Sequence, residues 1–150
     1  MKLSDTGYKL IQEFEGLRLK PYYDVVGKAT IGYGNTFYPN GKSVSINDKE
    51  ITKEYAFEIF KNVADKFAVI VDFLVEVKVN QNQFDALVSL CYNIGSKKFR
   101  DSTLLERINN NSSLEVVGIE FNRWVYANGY KVKGLVKRRK KEFQHYSNVK

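Results

Sequence analysis

The sequence predicts a mainly helical α+β fold in which strands and helices occupy separate stretches of the chain. Three observations carry this. Residues 4–17 and most of the chain after Thr52 repeat apolar side chains at helical spacing. Residues 20–46 between them are rich in β-favouring side chains and turn signals. The chain has 150 residues, 43% hydrophobic and 27% charged, which suits one globular domain that needs neither disulfide nor metal to fold.

The elements follow in order. Ser4 is a natural N-cap for a helix carrying Leu10, Ile11, Phe14 and Leu17, with its end expected near Glu15-Gly16. Tyr22, Tyr23, Val25, Val26, Thr30, Ile31 and Tyr33 then favour strands, and Gly27-Lys28 and Pro39-Asn40-Gly41-Lys42 mark turns. A small antiparallel hairpin is expected there, with a third short strand near Ser43–Ser45. Thr52 can cap a long helix whose apolar face includes Ile59, Phe60, Val63, Phe67, Ile70 and Leu74. A further helix is expected from Asn80 to Ile94, with Gln83 at the capping-box position and Gly95 as its stop. Two more are expected, from Ser102 to Ile108 and from Ser113 to about Tyr126, the second carrying Trp124 on its apolar face. The last follows Gly134. The expected organisation is one domain. A small β-containing lobe spans about 16–50, and a helical bundle lobe spans about 52–150, packed with the helix 4–15. The long helix after Thr52 joins the two.

Composition excludes several chemistries. Cys91 and His145 are the only cysteine and histidine, so an internal disulfide and most Cys/His zinc sites are ruled out. Cys91 falls in an apolar helical run and is expected in the core; His145 is expected at the surface of a frayed end. The net charge is +7, and all of it lies in residues 131–150. Lys131, Lys133, Lys137, Arg138, Arg139, Lys140, Lys141 and Lys150 there face one acid, Glu142. Such a cluster favours an anionic partner, and a solvated helix face is its plain alternative. No apolar run suits a signal segment or a membrane span, so synthesis and folding in a cytoplasm are expected.

The most informative stretch runs from Glu15 to Thr36. Glu15 stands where an amphipathic helix gives way to a sheet, Asp24 lies in the first strand and Thr30 in the second. Two carboxyl groups across a cleft are the equipment for glycosidic cleavage: one protonates the leaving oxygen, the other orients water or attacks the sugar. A threonine hydroxyl can hold such a water. Taken singly, a Glu at a helix end is ordinarily a solvated residue and an Asp beside a turn a turn-former. Gly32 and Gly34 alternate with Ile31 and Tyr33, and glycine in a strand implies either a close approach to its backbone, here by a sugar ring, or a bulge.

The run Glu15-Gly16-Leu17-Arg18-Leu19-Lys20-Pro21-Tyr22-Tyr23-Asp24, continued through Thr30-Ile31-Gly32-Tyr33-Gly34, resembles the phage lysozymes of glycoside hydrolase family 24, the endolysins that cut peptidoglycan. Their Glu, Asp and Thr recur with eight and then five intervening residues, as Glu15, Asp24 and Thr30 do here. Gln83–Ser89 with Asn93-Ile94-Gly95, Ser102–Leu105, Phe121–Trp124 and Gly134–Glu142 resemble later parts of the family, so the likeness covers about residues 4–145. Ala29 departs from it, since an aromatic often precedes the threonine. The resemblance implies a lysozyme-like fold and hydrolysis of the β-1,4 bond between N-acetylmuramic acid and N-acetylglucosamine, with inversion. Glu15 would be the general acid, and Asp24 and Thr30 would position the water. Thr36, Tyr92 and Ser102 would line the sugar cleft. No cofactor or metal is implied. The implied partner is bacterial peptidoglycan, met by a monomer that neither binds nucleic acid nor inserts into a membrane. A separate holin-like protein would release it from the host cytoplasm to the cell wall. The alternatives are a lytic transglycosylase on the same scaffold, where one Glu suffices, and a nucleic-acid-binding module built on the basic C-terminal helix.

Overall fold

A computed structural model describes residues 1–148, so Lys150 of the basic cluster lies outside the described residues. The chain forms two compact units, Ile11–Lys66 and the remainder. The boundaries fall inside two helices, α1 (Asp5–Glu15) and α2 (Lys53–Leu74).

In the unit Ile11–Lys66, β1 (Arg18–Tyr23) and β2 (Ala29–Gly32) form an antiparallel pair with Tyr22 opposite Thr30 and Tyr23 opposite Ala29. The register shifts between Arg18 and Tyr22, a bulge that bends the pair. The expected third strand is reduced to a bridge between Phe37 and Ser43 and a hydrogen bond from Val44 N to Thr36 O at 2.9 Å. The turn at residues 39–42 is present, closed by Tyr38 N to Lys42 O at 2.9 Å. Thr52 caps α2, its hydroxyl accepting from Tyr55 N at 3.1 Å. Ile11, Ile31, Val44, Ala56, Ile59 and Phe60 are buried, and Tyr33 rests against the Phe60 ring.

The other unit is helical. Ser4 caps α1 by accepting from Gly7 N at 3.0 Å, and its hydroxyl donates to Asp85. Asp85 lies on α3 (Gln81–Ile94), which opens with the expected Asn80–Gln83 capping box and stops at Gly95. Residues Phe84–Cys91 are buried without a break, so this helix is covered on every side. Then come α4 (Ser96–Arg100), α5 (Thr103–Asn109) and α6 (Leu114–Phe121). A hairpin of β3 (Tyr126–Ala127) and β4 (Tyr130–Lys131) leads to α7 (Lys133–Ser147). At Gly118 a Cβ would stand 2.7 Å from Phe143 Cζ, so only glycine lets the Phe143 ring lie on α6.

Three expectations need correction here. The helix from Ser113 stops at Phe121, not near Tyr126, because Asn122 and Arg123 turn the chain into the β3–β4 hairpin. Trp124 therefore lies beyond the helix, half-buried, with its carbonyl accepting from Arg139 Nη1 at 3.2 Å. His145 is half-buried rather than at a frayed surface end. Helix α7 continues past it and lays its Nε2 3.8 Å from the fully buried Asp85 Oδ2.

The basic C-terminal cluster divides by burial. Arg138, Arg139 and Glu142 are all within the core. Arg139 Nε is in ion contact with Glu142 Oε1 at 2.6 Å, Arg138 Nε reaches Glu142 Oε2 at 3.3 Å, and Ser89 Oγ donates to the same Oε2 at 2.6 Å. Burial pushes the Glu142 carboxyl up, with both arginines pulling against it. Cys91 is a buried free thiol, pushed up to about 12 by burial, which makes it an inert packing residue.

Candidate active site

The unit Ile11–Lys66 contains Glu15, Asp24, Thr30 and Thr36. Glu15 is the last residue of α1, half-buried, and the helix closes behind it with Gly16 N donating to Gln12 O at 3.2 Å. The chain returns to it through a tight reversal after β2. Ile31 N donates to Asn35 O and Asn35 N to Ile31 O, both at 2.9 Å. Gly32 and Gly34 sit inside this loop at φ +68° and +79°, a region that disfavours side chains. The strand expected to run through these glycines therefore ends at Gly32. What approaches Gly34 is the acid: a Cβ there would lie 3.4 Å from Glu15 Oε2.

Asp24 and Thr30 are tied to one another through the main chain of Lys28. Asp24 N donates to Lys28 O at 2.9 Å, and Lys28 N donates back to Asp24 Oδ1 at 2.8 Å. Val26 N reaches the same Oδ1 at 3.0 Å, so this oxygen shapes the turn between β1 and β2. The other oxygen, Oδ2, accepts nothing from the described residues. The Thr30 hydroxyl also donates to Lys28 O, at 2.9 Å. Its proton is thereby committed and its lone pairs point elsewhere. Thr30 is 3% exposed, which fixes its rotamer.

Asn35 escaped the sequence reading. It is 5% exposed and its Oδ1 has no hydrogen-bond partner among the described residues. Its one sequence signal is a polar side chain directly after a glycine-rich reversal. Thr36 is half-buried in the same unit.

Tyr92 and Ser102 belong to the other unit. Tyr92 is half-buried with its ring 5.4 Å from that of Phe67. The Ser102 hydroxyl is engaged as the cap of α5, donating to Phe99 O at 2.6 Å and accepting from Leu105 N at 3.1 Å. Among the described residues no group of three His, Cys, Asp or Glu side chains could hold a metal, and no helix is long and apolar enough to cross a membrane.

Comparison with known proteins bears on what this arrangement is. The chain is 40% identical over 144 residues to the endolysin of Bacillus phage PZA, covering 95% of this chain but only 54% of that protein, about half its length. It is 36% identical over 146 residues to the endolysin of Acyrthosiphon pisum secondary endosymbiont phage 1, covering 95% of each. The solved structure of the endolysin from Escherichia coli O157:H7 phage FAHEc1 superposes with a TM-score of 0.91 at 37% identity, covering 99% of this chain and 94% of that one. The model of the phage lysozyme family matches residues 12–142, and the chain belongs to that family.

Proposed function

We propose that the chain is a muramidase that hydrolyses the β-1,4 bond between N-acetylmuramic acid and N-acetylglucosamine in bacterial peptidoglycan. The observation that carries this reading is the clamp at Lys28. The main chain of one residue holds Asp24 and Thr30, its N–H on the carboxylate and its C=O on the hydroxyl, so that a carboxylate oxygen and a hydroxyl lone pair are both left as acceptors. A water donating one hydrogen to Asp24 Oδ2 and the other to Thr30 Oγ1 has its lone pair turned outward, ready to attack an anomeric carbon. Glu15 is the proton donor to the leaving oxygen, and the attacking water gives up its proton to Asp24 Oδ2 as the new bond to the anomeric carbon forms. The product of that geometry is the inverted anomer, released with no covalent intermediate.

Thr36 contacts sugar in this reading. Tyr92 and Ser102 carry that role by family resemblance, and for Ser102 only through what its capped hydroxyl leaves over. The chain acts on the wall as a monomer, without nucleic acid, membrane insertion or a cofactor, after a separate holin-like protein releases it from the cytoplasm.

Mass spectrometry of digested peptidoglycan tests the reaction. Reducing muramic acid ends are expected. Anhydro-muramic ends would assign a transglycosylase instead, and intact walls would sink both. Glu15→Gln in a protein with an unchanged melting profile is expected to lower wall lysis by ~10²–10⁴-fold, the usual worth of a positioned general acid.

A further inference from the structure

The buried Arg138–Arg139–Glu142 group accounts for part of the C-terminal charge and leaves the lysines unexplained. Lys131, Lys133, Val136, Lys137 and Lys140 line one shallow groove along β4 and the first turns of α7. All four lysines are exposed, and among the described residues none is ion-paired. Folding does not call for this arrangement. Lys133 and Lys137 are four residues apart and Lys137 and Lys140 three, so like charges stack on one helix face and repel. Lys133 also stands in the first turn of α7, where the helix dipole already presents positive charge.

We propose that this groove binds a linear polyol-phosphate polymer of the cell wall, separately from the glycan the enzyme cuts. The charges follow a line: at 1.5 Å rise per residue, Lys133 to Lys140 span about 10 Å along the helix, the reach of a short run of a polyanion. The site uses ammonium groups alone. The two arginines of the segment, with the planar forks that select particular oxyanion geometries, are turned into the core. Lysines act as point charges and tolerate the loosely ordered phosphates of a flexible polymer. Val136 and the lysine stems offer apolar contact to the carbon backbone between phosphates. A nucleic acid strand fits less well, because the exposed rings of the hairpin, Tyr126 and Tyr130, stand outside the groove lining and not between its lysines. A bilayer fits less well, because the surface is concave and its lining holds no large apolar side chain to insert. The partner assumed here presupposes the wall as the site of action and so rests in part on the reading above.

The test separates binding from cleavage by using Glu15→Gln protein throughout, so that no probe is digested. Soluble poly(glycerol phosphate) is titrated calorimetrically against this protein and against the same protein carrying Lys131→Gln, Lys133→Gln, Lys137→Gln and Lys140→Gln. A control instead carries Lys2→Gln, Lys78→Gln, Lys97→Gln and Lys98→Gln, exposed lysines outside the groove, and so loses equal charge. The groove variant is expected to bind at least ~10-fold more weakly and to lose much of the salt dependence that counter-ion release gives a polyanion site. The control should bind nearly as the parent. If the fourfold variant does not fold, Lys140→Glu alone is compared with Lys97→Glu alone, which changes the charge equally at an exposed site outside the groove. Equal weakening of both variants would show net charge at work and overturn the groove, as would parent-like binding by the groove variant. Tighter binding to oligothymidylate or to phosphatidylglycerol vesicles than to poly(glycerol phosphate) would overturn the choice of partner. Catalysis is read independently by the sugar ends of the active enzyme: polymer binding without cleavage would keep this proposal and discard the muramidase.

Discussion

Replacing Asp24 by Asn separates the two tasks assigned to that residue. The carbonyl oxygen of Asn can take the place of Oδ1 and keep the bonds from Val26 N at 3.0 Å and Lys28 N at 2.8 Å, so the β1–β2 turn survives. What is lost there is the charge assistance of two exposed hydrogen bonds, on the order of 1 kcal/mol in total. For a chain of this size that lowers Tm by roughly 2–4 °C. At the second oxygen the change is of kind rather than degree. An amide nitrogen donates where the carboxylate accepted, so a water hydrogen can no longer be held, and hydrolysis should fall by ~10²–10⁴-fold. A Tm shift of a few degrees leaves the protein almost wholly folded at 25 °C and cannot produce such a loss. Asp24→Ala removes both turn bonds as well, and should match the Asn variant in activity while melting lower. The assay is initial-rate release of reducing ends from purified walls, beside a thermal melt of each variant. If Asp24→Asn retains more than about a tenth of parent activity, Asp24 does not hold the water.

Other consequences follow from the same geometry. Gly34→Ala forces a side chain into φ +79° and sets its Cβ 3.4 Å from Glu15 Oε2, so turnover should drop more than wall binding, read as kcat against KM. Glu142→Gln leaves Arg139 and Arg138 buried without a counter-charge and should cost about 3–5 kcal/mol in denaturant unfolding, a loss that a loosely held surface pair would not show. The Tyr38 hydroxyl donates to Asp48 at 2.7 Å, and burial first, then Asp48, raises its pKa to about 12. Because the folded value lies above the unfolded one of about 10, this phenol's contribution to stability is full below pH ~10 and fades as pH rises towards 12. Stability measured across that window should fall less steeply in Tyr38→Phe; an unchanged slope would remove Tyr38 as its cause.

Where local chemistry decides structure, the sequence was readable. Ser4, Thr52, Ser102 and Ser113 each cap the helix expected of them, and the Asn80–Gln83 pair closes both of its hydrogen bonds. The signal failed where apolar side chains continue past a helix end. Val116, Val117, Phe121 and Val125 suggest one amphipathic run, yet the chain must turn after Phe121 to enter the hairpin. The Asn128-Gly129 pair, whose φ values of 52° and 81° suit a primed turn, is the signal for that hairpin, and it escaped the sequence reading. Helix α4 has five residues, too few to show a period. At the site, residue types and spacing were legible but their linkage was not. The clamp on Asp24 and Thr30 runs through the backbone of Lys28, which side-chain chemistry cannot announce. The contact between Glu15 and Gly34 joins residues 19 positions apart, on elements whose relation no local rule supplies.

The C-terminal charge shows why a count along the chain misleads in both directions. Eight basic residues against one acid read as a single cationic face. Burial sorts them by side-chain chemistry instead. Helix α7 packs against α3, and α3 is buried all round, so the inner face of α7 must fill core space. Arginine meets that demand: its planar head spreads several donors, and here Arg139 reaches Glu142 and the Trp124 carbonyl while Arg138 reaches Glu142 and Ser89 O. Lysine would bring a compact, strongly hydrated ammonium with a larger desolvation cost and fewer directions to share. The described lysines, Lys131, Lys133, Lys137, Lys140 and Lys141, accordingly stay outside, where the hydrated point charge is no burden. The arginines thus belong to the stability of the helical unit. Salt, which screens exposed charge over ~8–10 Å and buried pairs far less, should weaken only what the lysines do.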